Sequence, residues 1–346
     1  MDYEALEADG LIFTARVAGI TGGRRVLSRD EGRGLLLALR RGVFVRREVW
    51  DGADPREQHV LRVRAVVASA DRPVVVAGLS AAAIWGMPVS APWPADVMLL
   101  EERHGGGHRE PGVRRTSIGA LTAIPVDVGG ISSTALARTA LDVARRASFA
   151  EAIGSVDWAL WRKNPAAIDR EALFAEVDLL RAHKGFHHLA RLAGFATPLS
   201  DSFGESRARA VIHLLGFSAP ELQVEFRDPQ GLIVPDFFWP SVRVAGEFDG
   251  KVKYTRDEYT HGDPSETVWR EKRREDRLRR TVAGVVRIAD DGVAHPNDSS
   301  GCCSTWAFPA TAAVPGGVNP VGRSNDPAQL GASPPATAGS VGFSRD

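Results

Sequence analysis

The stretch Leu232-Ile-Val-Pro-Asp-Phe-Phe-Trp-Pro-Ser-Val-Arg-Val-Ala-Gly-Glu-Phe-Asp-Gly-Lys251 constrains this chain most. It reads as two apolar strands joined by a tight turn at Trp239-Pro240-Ser241, with acids where a buried strand should have none. Side chains alternate with a period of two, so Val242, Val244, Gly246 and Phe248 share one face of the second strand. Ala245, Glu247 and Asp249 share the other, which places the two carboxylates about 7 Å apart. Asp236 comes from the neighbouring strand. Like charges held beside apolar walls are unfavourable unless something positive sits among them. A divalent ion, Mg²⁺ or Mn²⁺, satisfies that requirement, and a metal with three carboxylates points to phosphodiester hydrolysis.

Composition narrows the remainder less. The 346 residues can hold two or three domains, and a 44% hydrophobic share permits ordinary cores. Forty-three cationic and 43 acidic side chains cancel, so contact with nucleic acid must rest on local basic patches. Cys302 and Cys303 are adjacent in a low-complexity tail and make neither a disulfide framework nor a zinc site. No charged-then-apolar leader or membrane-length apolar run is visible, so the expectation is a cytoplasmic protein with no membrane partner.

Five regions are expected along the chain. In residues 1–50, Arg40-Arg41-Gly42-Val-Phe-Val-Arg-Arg47 is a basic turn and alternating strand, as the wing of a winged helix-turn-helix would be. Arg24, Arg25, Arg29, Arg33, Arg40, Arg41, Arg46 and Arg47 far outnumber the acids there. Such a cluster suits DNA phosphates, with Arg40, Arg41, Arg46 and Arg47 at the rim; the plainer alternative is a solvated surface on a small packing domain. Residues 51–148 read as a mixed α/β module with a helix over 60–70, a buried strand at 74–77, a small-residue helix from Leu79 to Pro88, and a capped helix over 131–144. Residues 149–200 are helical, with apolar stripes Ile153/Val156/Leu160/Trp161 and Leu173/Val177/Leu180 capped by Asp169. His183 and His187 stand four apart, but Gly185 intervenes and no partner ligand is suitably spaced, so solvent-exposed histidines are expected rather than a zinc site.

Residues 201–288 read as helix, three strands, helix, strand. Ser202 opens the first helix, Gly216 closes it, and Arg207 and Arg209 are expected on its outside. Asp228-Pro-Gln-Gly231 is strong turn chemistry. The pattern predicts a three-stranded antiparallel meander extended by a strand after a crossover helix. Residues 289–346, dominated by Gly, Pro, Ser, Thr and Ala, are expected to lack fixed structure, and an altered reading frame there is an open alternative. The fold class expected is therefore α/β in α+β modules: a winged helix and mixed module, then a second mixed central sheet.

Pro235-Asp236 followed by Glu247-Phe-Asp249-Gly-Lys251 resembles the PD-(D/E)XK nuclease signature in its very-short-patch-repair-like form, as found in the DUF559 group of endonucleases. The resemblance runs from about Ser202 to Ile288. It implies a restriction-endonuclease-like fold, with Asp236 and Glu247 as the metal-binding pair and Glu205 as a helical acid beside them. The position usually held by lysine carries Asp249, so the cation is expected from Lys251, Lys253 or Lys272. The basic wing, Leu79-Ser-Ala-Ala-Ala-Ile-Trp-Gly-Met-Pro88 and Ser133-Thr-Ala-Leu-Ala-Arg-Thr-Ala-Leu-Asp142 are similar to the AbiEi-type antitoxin region, which implies a winged helix that binds the promoter of a toxin operon.

The activity implied is metal-assisted cleavage of DNA, with Asp236, Glu247 and Asp249 holding Mg²⁺ or Mn²⁺ and Lys251 or Lys272 orienting water or neutralising phosphorus. Each acid also has a plainer role open to it. Glu205 completes a capping box with Ser202, and Asp249-Gly250 suits a strand-ending turn. The alternative function is a non-catalytic DNA-binding regulator or antitoxin, with a cognate toxin or a second copy as partner.

Overall fold

Local capping chemistry starts most of the longer helices. The computed structural model describes residues 3–17, 19–101, 109–117, 122–250 and 264–289, all within one contiguous unit, Met1–Ala313. The expectations for Lys251, Lys253, the cysteines and the tail from residue 290 lie outside the described residues. The fold is α/β, with mixed helices and sheets.

The N-terminal region begins with β1 (Glu7–Ala8) and β2 (Leu11–Phe13), then α1 (Thr14–Val17) and α2 (Gly23–Gly32). A hairpin of β3 (Leu36–Arg40) and β4 (Val43–Arg46) follows. The sheet order is β1-β2-β4-β3. Gly42 has φ +79°, a left-handed conformation that glycine adopts without a Cβ penalty, in the turn between β3 and β4. Leu11, Val43, Val45 and Leu61 form one buried cluster, and Ile12, Leu27, Leu36 and Phe44 another. Leu36–Arg40 is thus already strand before the basic turn.

After α3 (Arg47–Gly52), α4 (Pro55–Ala68) starts on a capping box between Asp54 and Glu57, with proline at the first helical position. Then come β5 (Val75–Val76), α5 (Gly78–Trp85), β6 (Val97–Leu100), β7 (Arg109–Glu110), β8 (Val113–Thr116), β9 (Pro125–Val128), β10 (Ile131–Thr134) and α6 (Leu136–Ala144). Their six strands order as β7-β8-β6-β5-β10-β9, with β5–β10 and β6–β8 parallel. One expectation fails here: residues 131–134 are strand, not the first turn of a helix. Ile131-Ser-Ser-Thr134 pairs with Pro125–Val128, and α6 begins after it without a side-chain cap. The serines and threonine that suggested a cap satisfy strand and interior contacts instead. Thr134 Oγ1, for instance, lies 2.7 Å from Thr139 Oγ1.

Three helices follow: α7 (Phe149–Leu160), opened by the Ser148/Glu151 capping box, α8 (Arg170–Leu179), capped by Asp169, and α9 (Phe186–Phe195). Both predicted apolar stripes enter one core except Trp161, which caps the end of α7 and donates its indole N–H to Asp201. His183 lies between α8 and α9, so it shares no helix with His187. The last described region comprises α10 (Phe203–Leu214), β11 (Phe226–Asp228), β12 (Gly231–Ile233), β13 (Phe237–Trp239), β14 (Val244–Asp249), α11 (Pro264–Thr281) and β15 (Gly284–Ala289). β11 and β12 form a separate hairpin, while β13-β14-β15 is a three-stranded sheet with β14 and β15 parallel. The expected continuous meander is therefore interrupted at Pro235-Asp236, because proline carries no N–H for a ladder. Phe237, Trp239, Val244 and Ile288 pack one sheet face against α10, and Ala245 packs the other with Leu278 of α11.

Candidate functional site

The break at Pro235-Asp236 places an acid at the mouth of the sheet rather than in its ladder. Asp236 Oδ2 accepts a hydrogen bond from the Phe248 N–H at 2.7 Å, which ties the start of β13 to the acid-bearing part of β14. Phe248 points to the α10 side, where Gly204 permits close approach: a Cβ there would overlap the Phe248 ring. Glu205 follows Gly204 and is brought to the same corner. Its N–H is capped by Ser202 Oγ at 3.1 Å, and its Oε2 accepts from the Asp201 N–H at 3.0 Å. Ser202 caps the helix as expected, but the reciprocal bond of a capping box is displaced by one residue, from the Ser202 N–H to the Asp201 N–H.

The electrostatics follow from this crowding. Glu205 is 8% exposed, and burial pushes its carboxyl up to about 7, reinforced by the charge of Asp236. Burial likewise raises Glu247, and Asp236 adds to that rise, while Arg274 opposes it. Arg274 Nη1 donates to Glu247 Oε2 at 2.8 Å, and its Nη2 donates to the Val234 carbonyl at 2.6 Å. Glu247 Oε1 is buried and has no hydrogen-bond partner among the described residues.

Asp249 does not join this group. Its Oδ2 lies 3.4 Å from Arg287 Nη1, and Arg287 also reaches Glu275 at 2.6 Å. Among the described residues no three His, Cys, Asp or Glu side chains are gathered to hold a metal ion. The three-carboxylate set Asp236/Glu247/Asp249 is thus corrected to the pair Asp236 and Glu247 with Glu205 adjacent. This pair fits Mg²⁺, which is commonly held by one or two carboxylates with water completing its shell. The partnerless Glu247 oxygen is the atom on which that fit rests.

Lys272 is exposed, and α11 offers Arg274 instead. Leu278 is the helix's fully buried anchor. At 100° per residue Arg274 lies about 40° from it around the helix and Lys272 about 120° away. That helical offset was the signal that could have identified Arg274. Arg277 had none: it bonds Asp228 through both carboxylate oxygens, at 2.8 and 2.7 Å, across 49 residues, and pins the β11–β12 turn to α11. Arg209, expected outside α10, is instead interior. It bridges to the buried Asp157 of α7 at 2.9 Å and donates to the Phe195 carbonyl. Arg207 is half-buried, with its Nε out of contact with solvent.

The basic N-terminal cluster divides in two. Arg46 is 22% exposed and engaged by Glu7, Glu48 and Glu4; Arg47 lies 3.9 Å from Asp51; and Arg40 carries a buried Nη1. Only Arg41 of the four rim arginines is exposed without a described ion-pair partner, and Arg24, Arg25 and Arg33 on and after α2 share that state.

Two relatives in Mycobacterium tuberculosis, each described as an uncharacterized protein (Rv2248 of strain H37Rv and MT2308 of strain CDC 1551), are 31% identical to this chain over 191 residues. The match covers 53% of this chain and 66% of each relative, just under two thirds of their length. No protein-family model matches the sequence. A crystal structure of the RV2827C protein from the same organism aligns with 64% of this chain and 84% of its own at 14% identity, with a TM-score of 0.35. No helix among the described residues is long and apolar enough to cross a membrane.

Proposed function

We propose that this protein is a metal-dependent DNA endonuclease, with Asp236 and Glu247 holding Mg²⁺ or Mn²⁺ and the N-terminal region supplying DNA affinity. The observation that carries this reading is the partly buried pair Asp236 and Glu247, close enough for the charge of Asp236 to act on Glu247, with one Glu247 oxygen that has no hydrogen-bond partner among the described residues. Buried like charges raise the energy of the folded state, and a site that retains them is set up for a cation. When bound, the ion would supply charge stabilisation and a more acidic water. Arg274 orients Glu247 and provides the fixed positive charge that the sequence lacks at position 249. Glu205, held near neutrality, is suited to hold or release a proton beside the pair.

The test is cleavage of labelled DNA and RNA substrates with Mg²⁺ or Mn²⁺, against EDTA. Cleavage of DNA that requires metal and disappears in both Asp236→Ala and Glu247→Ala is the expected result. A second reading, a non-catalytic DNA-binding regulator or antitoxin paired with a cognate toxin or a second copy, is favoured by one observation: Arg274 already neutralises Glu247. DNA binding that persists in EDTA with no cleavage on any substrate would select it.

A further inference from the structure

A cavity of about 420 Å³ lies remote in sequence from the acidic site, between the start of α5, strands β6 and β8, and the end of α6. Three cations line it: Arg114, Arg145 and Arg146. Arg145 is the informative one, because its side chain is nine-tenths buried yet its Nε and Nη2 have no hydrogen-bond partner among the described residues. Its Nη1 is used, donating to the Lys184 carbonyl at 2.8 Å. The acids on the same wall are shared or engaged elsewhere. Asp142 binds Arg138 at 3.0 Å and stands 3.9 Å from Arg145, while Glu151 caps Ser148. Arg114 and Arg146 are exposed at the mouth, and neither has an ion-pair partner among the described residues.

Burial holds the Arg145 guanidinium below its ordinary range, and the neighbouring charges of Arg138 and Arg146 push the same way against Asp142. A buried guanidinium whose Nε has no hydrogen-bond partner among the described residues, and whose Nη2 has only Asp142 at 3.9 Å, is incompletely satisfied, and an anion would complete it. A second feature points the same way. Helix α5 starts at the cavity wall, at Gly78 and Leu79, with no side-chain cap, so the positive end of its dipole borders a site lined by arginines. Leu79, Pro92 and Met98 add an apolar wall, and the volume lies in the range of small-molecule sites.

We propose that this cavity binds a phosphate-bearing small molecule, its phosphate on Arg114, Arg145, Arg146 and the α5 N-terminus and its body against Leu79, Pro92 and Met98. The site is independent of the acidic pair and of any nuclease activity.

Pyrophosphate is the probe, titrated into the full chain in EDTA and followed by thermal unfolding and by calorimetry, with chloride matched for ionic strength. A saturable rise in melting temperature beyond the chloride control is expected. The Arg114→Ala/Arg146→Ala double variant, which alters only exposed side chains, should weaken apparent affinity at least tenfold, and Arg145→Met should do the same. Asp236→Ala should leave it intact. Absence of a saturable effect, or an equal effect in the double variant, overturns the proposal. So does protection by duplex DNA alone, which would make these arginines part of a DNA-phosphate surface.

Discussion

Buried titratable residues contribute in opposite directions to how this protein responds to pH. His59 is fully buried, stacked on Trp93 and bonded to Ser80 at 2.8 Å, and burial depresses its pKa to about 4. Its stabilising contribution is complete above the ordinary histidine value near 6.5 and is lost as pH falls toward 4, because the unfolded chain takes up the proton first. Glu205 has the opposite sign. With its folded value near 7, the folded state binds the proton more tightly, so its contribution declines as pH rises from about 4.5 to about 7. Each effect amounts to about 2 kcal/mol between about pH 5 and about pH 7.5. In EDTA the two largely cancel, and single variants should expose them. His59→Gln should lose stability as pH rises across that window, and Glu205→Gln should gain it. Urea unfolding at several pH values reads both slopes, and variants that run parallel to the parent would refute these assignments.

At the scale of elements, the close seating of α10 on β14 positions the acids. Gly204 lies where a side chain would overlap Phe248, and the Phe248 N–H is the donor to Asp236. Gly204→Ala should therefore cost about 1–3 kcal/mol through overpacking. It should also reduce metal-dependent cleavage more than its stability loss explains, because Phe248 must shift. Urea midpoints and cleavage rates measured below the unfolding transition separate the two effects; full activity in a destabilised variant would mean that Gly204 and Phe248 only pack together. Much at this scale was legible locally. The starts of α7, α8 and α10 follow from Ser148, Asp169 and Ser202, whose oxygens accept N–H groups within their own first turn. Asp236 and Glu247 were legible because carboxylates interrupt apolar strands. What was not legible depends on partners distant in the chain. Ile131–Thr134 becomes strand because Pro125–Val128 lies beside it, Arg209 turns inward because Asp157 awaits it, and Asp249 leaves the acid pair for Arg287.

Across the whole molecule the charges cancel, so the proposed DNA contact would depend on which arginines remain unneutralised. Counting arginines in the first fifty residues locates a basic region but cannot show that Glu4 and Glu7 fold back onto Arg46. Of the exposed set Arg24, Arg25, Arg33 and Arg41, the proposal places Arg24 and Arg25 on α2 and Arg41 at the hairpin turn against phosphates. Removing one arginine from a DNA phosphate should flatten the dependence of log affinity on log salt by roughly 0.9 for duplex DNA. Arg24→Ala/Arg25→Ala/Arg41→Ala should thus weaken binding and reduce that slope by roughly 2–3, measured by fluorescence anisotropy from about 50 to about 200 mM salt. Arg46→Ala serves as the counter-test. It leaves the partly buried Glu7 without its cation, so it should lower the melting temperature while the salt slope of the folded protein stays unchanged. The reverse pattern, a slope altered by Arg46 and untouched by the triple variant, would move the DNA surface to the β4 side of the hairpin and away from α2.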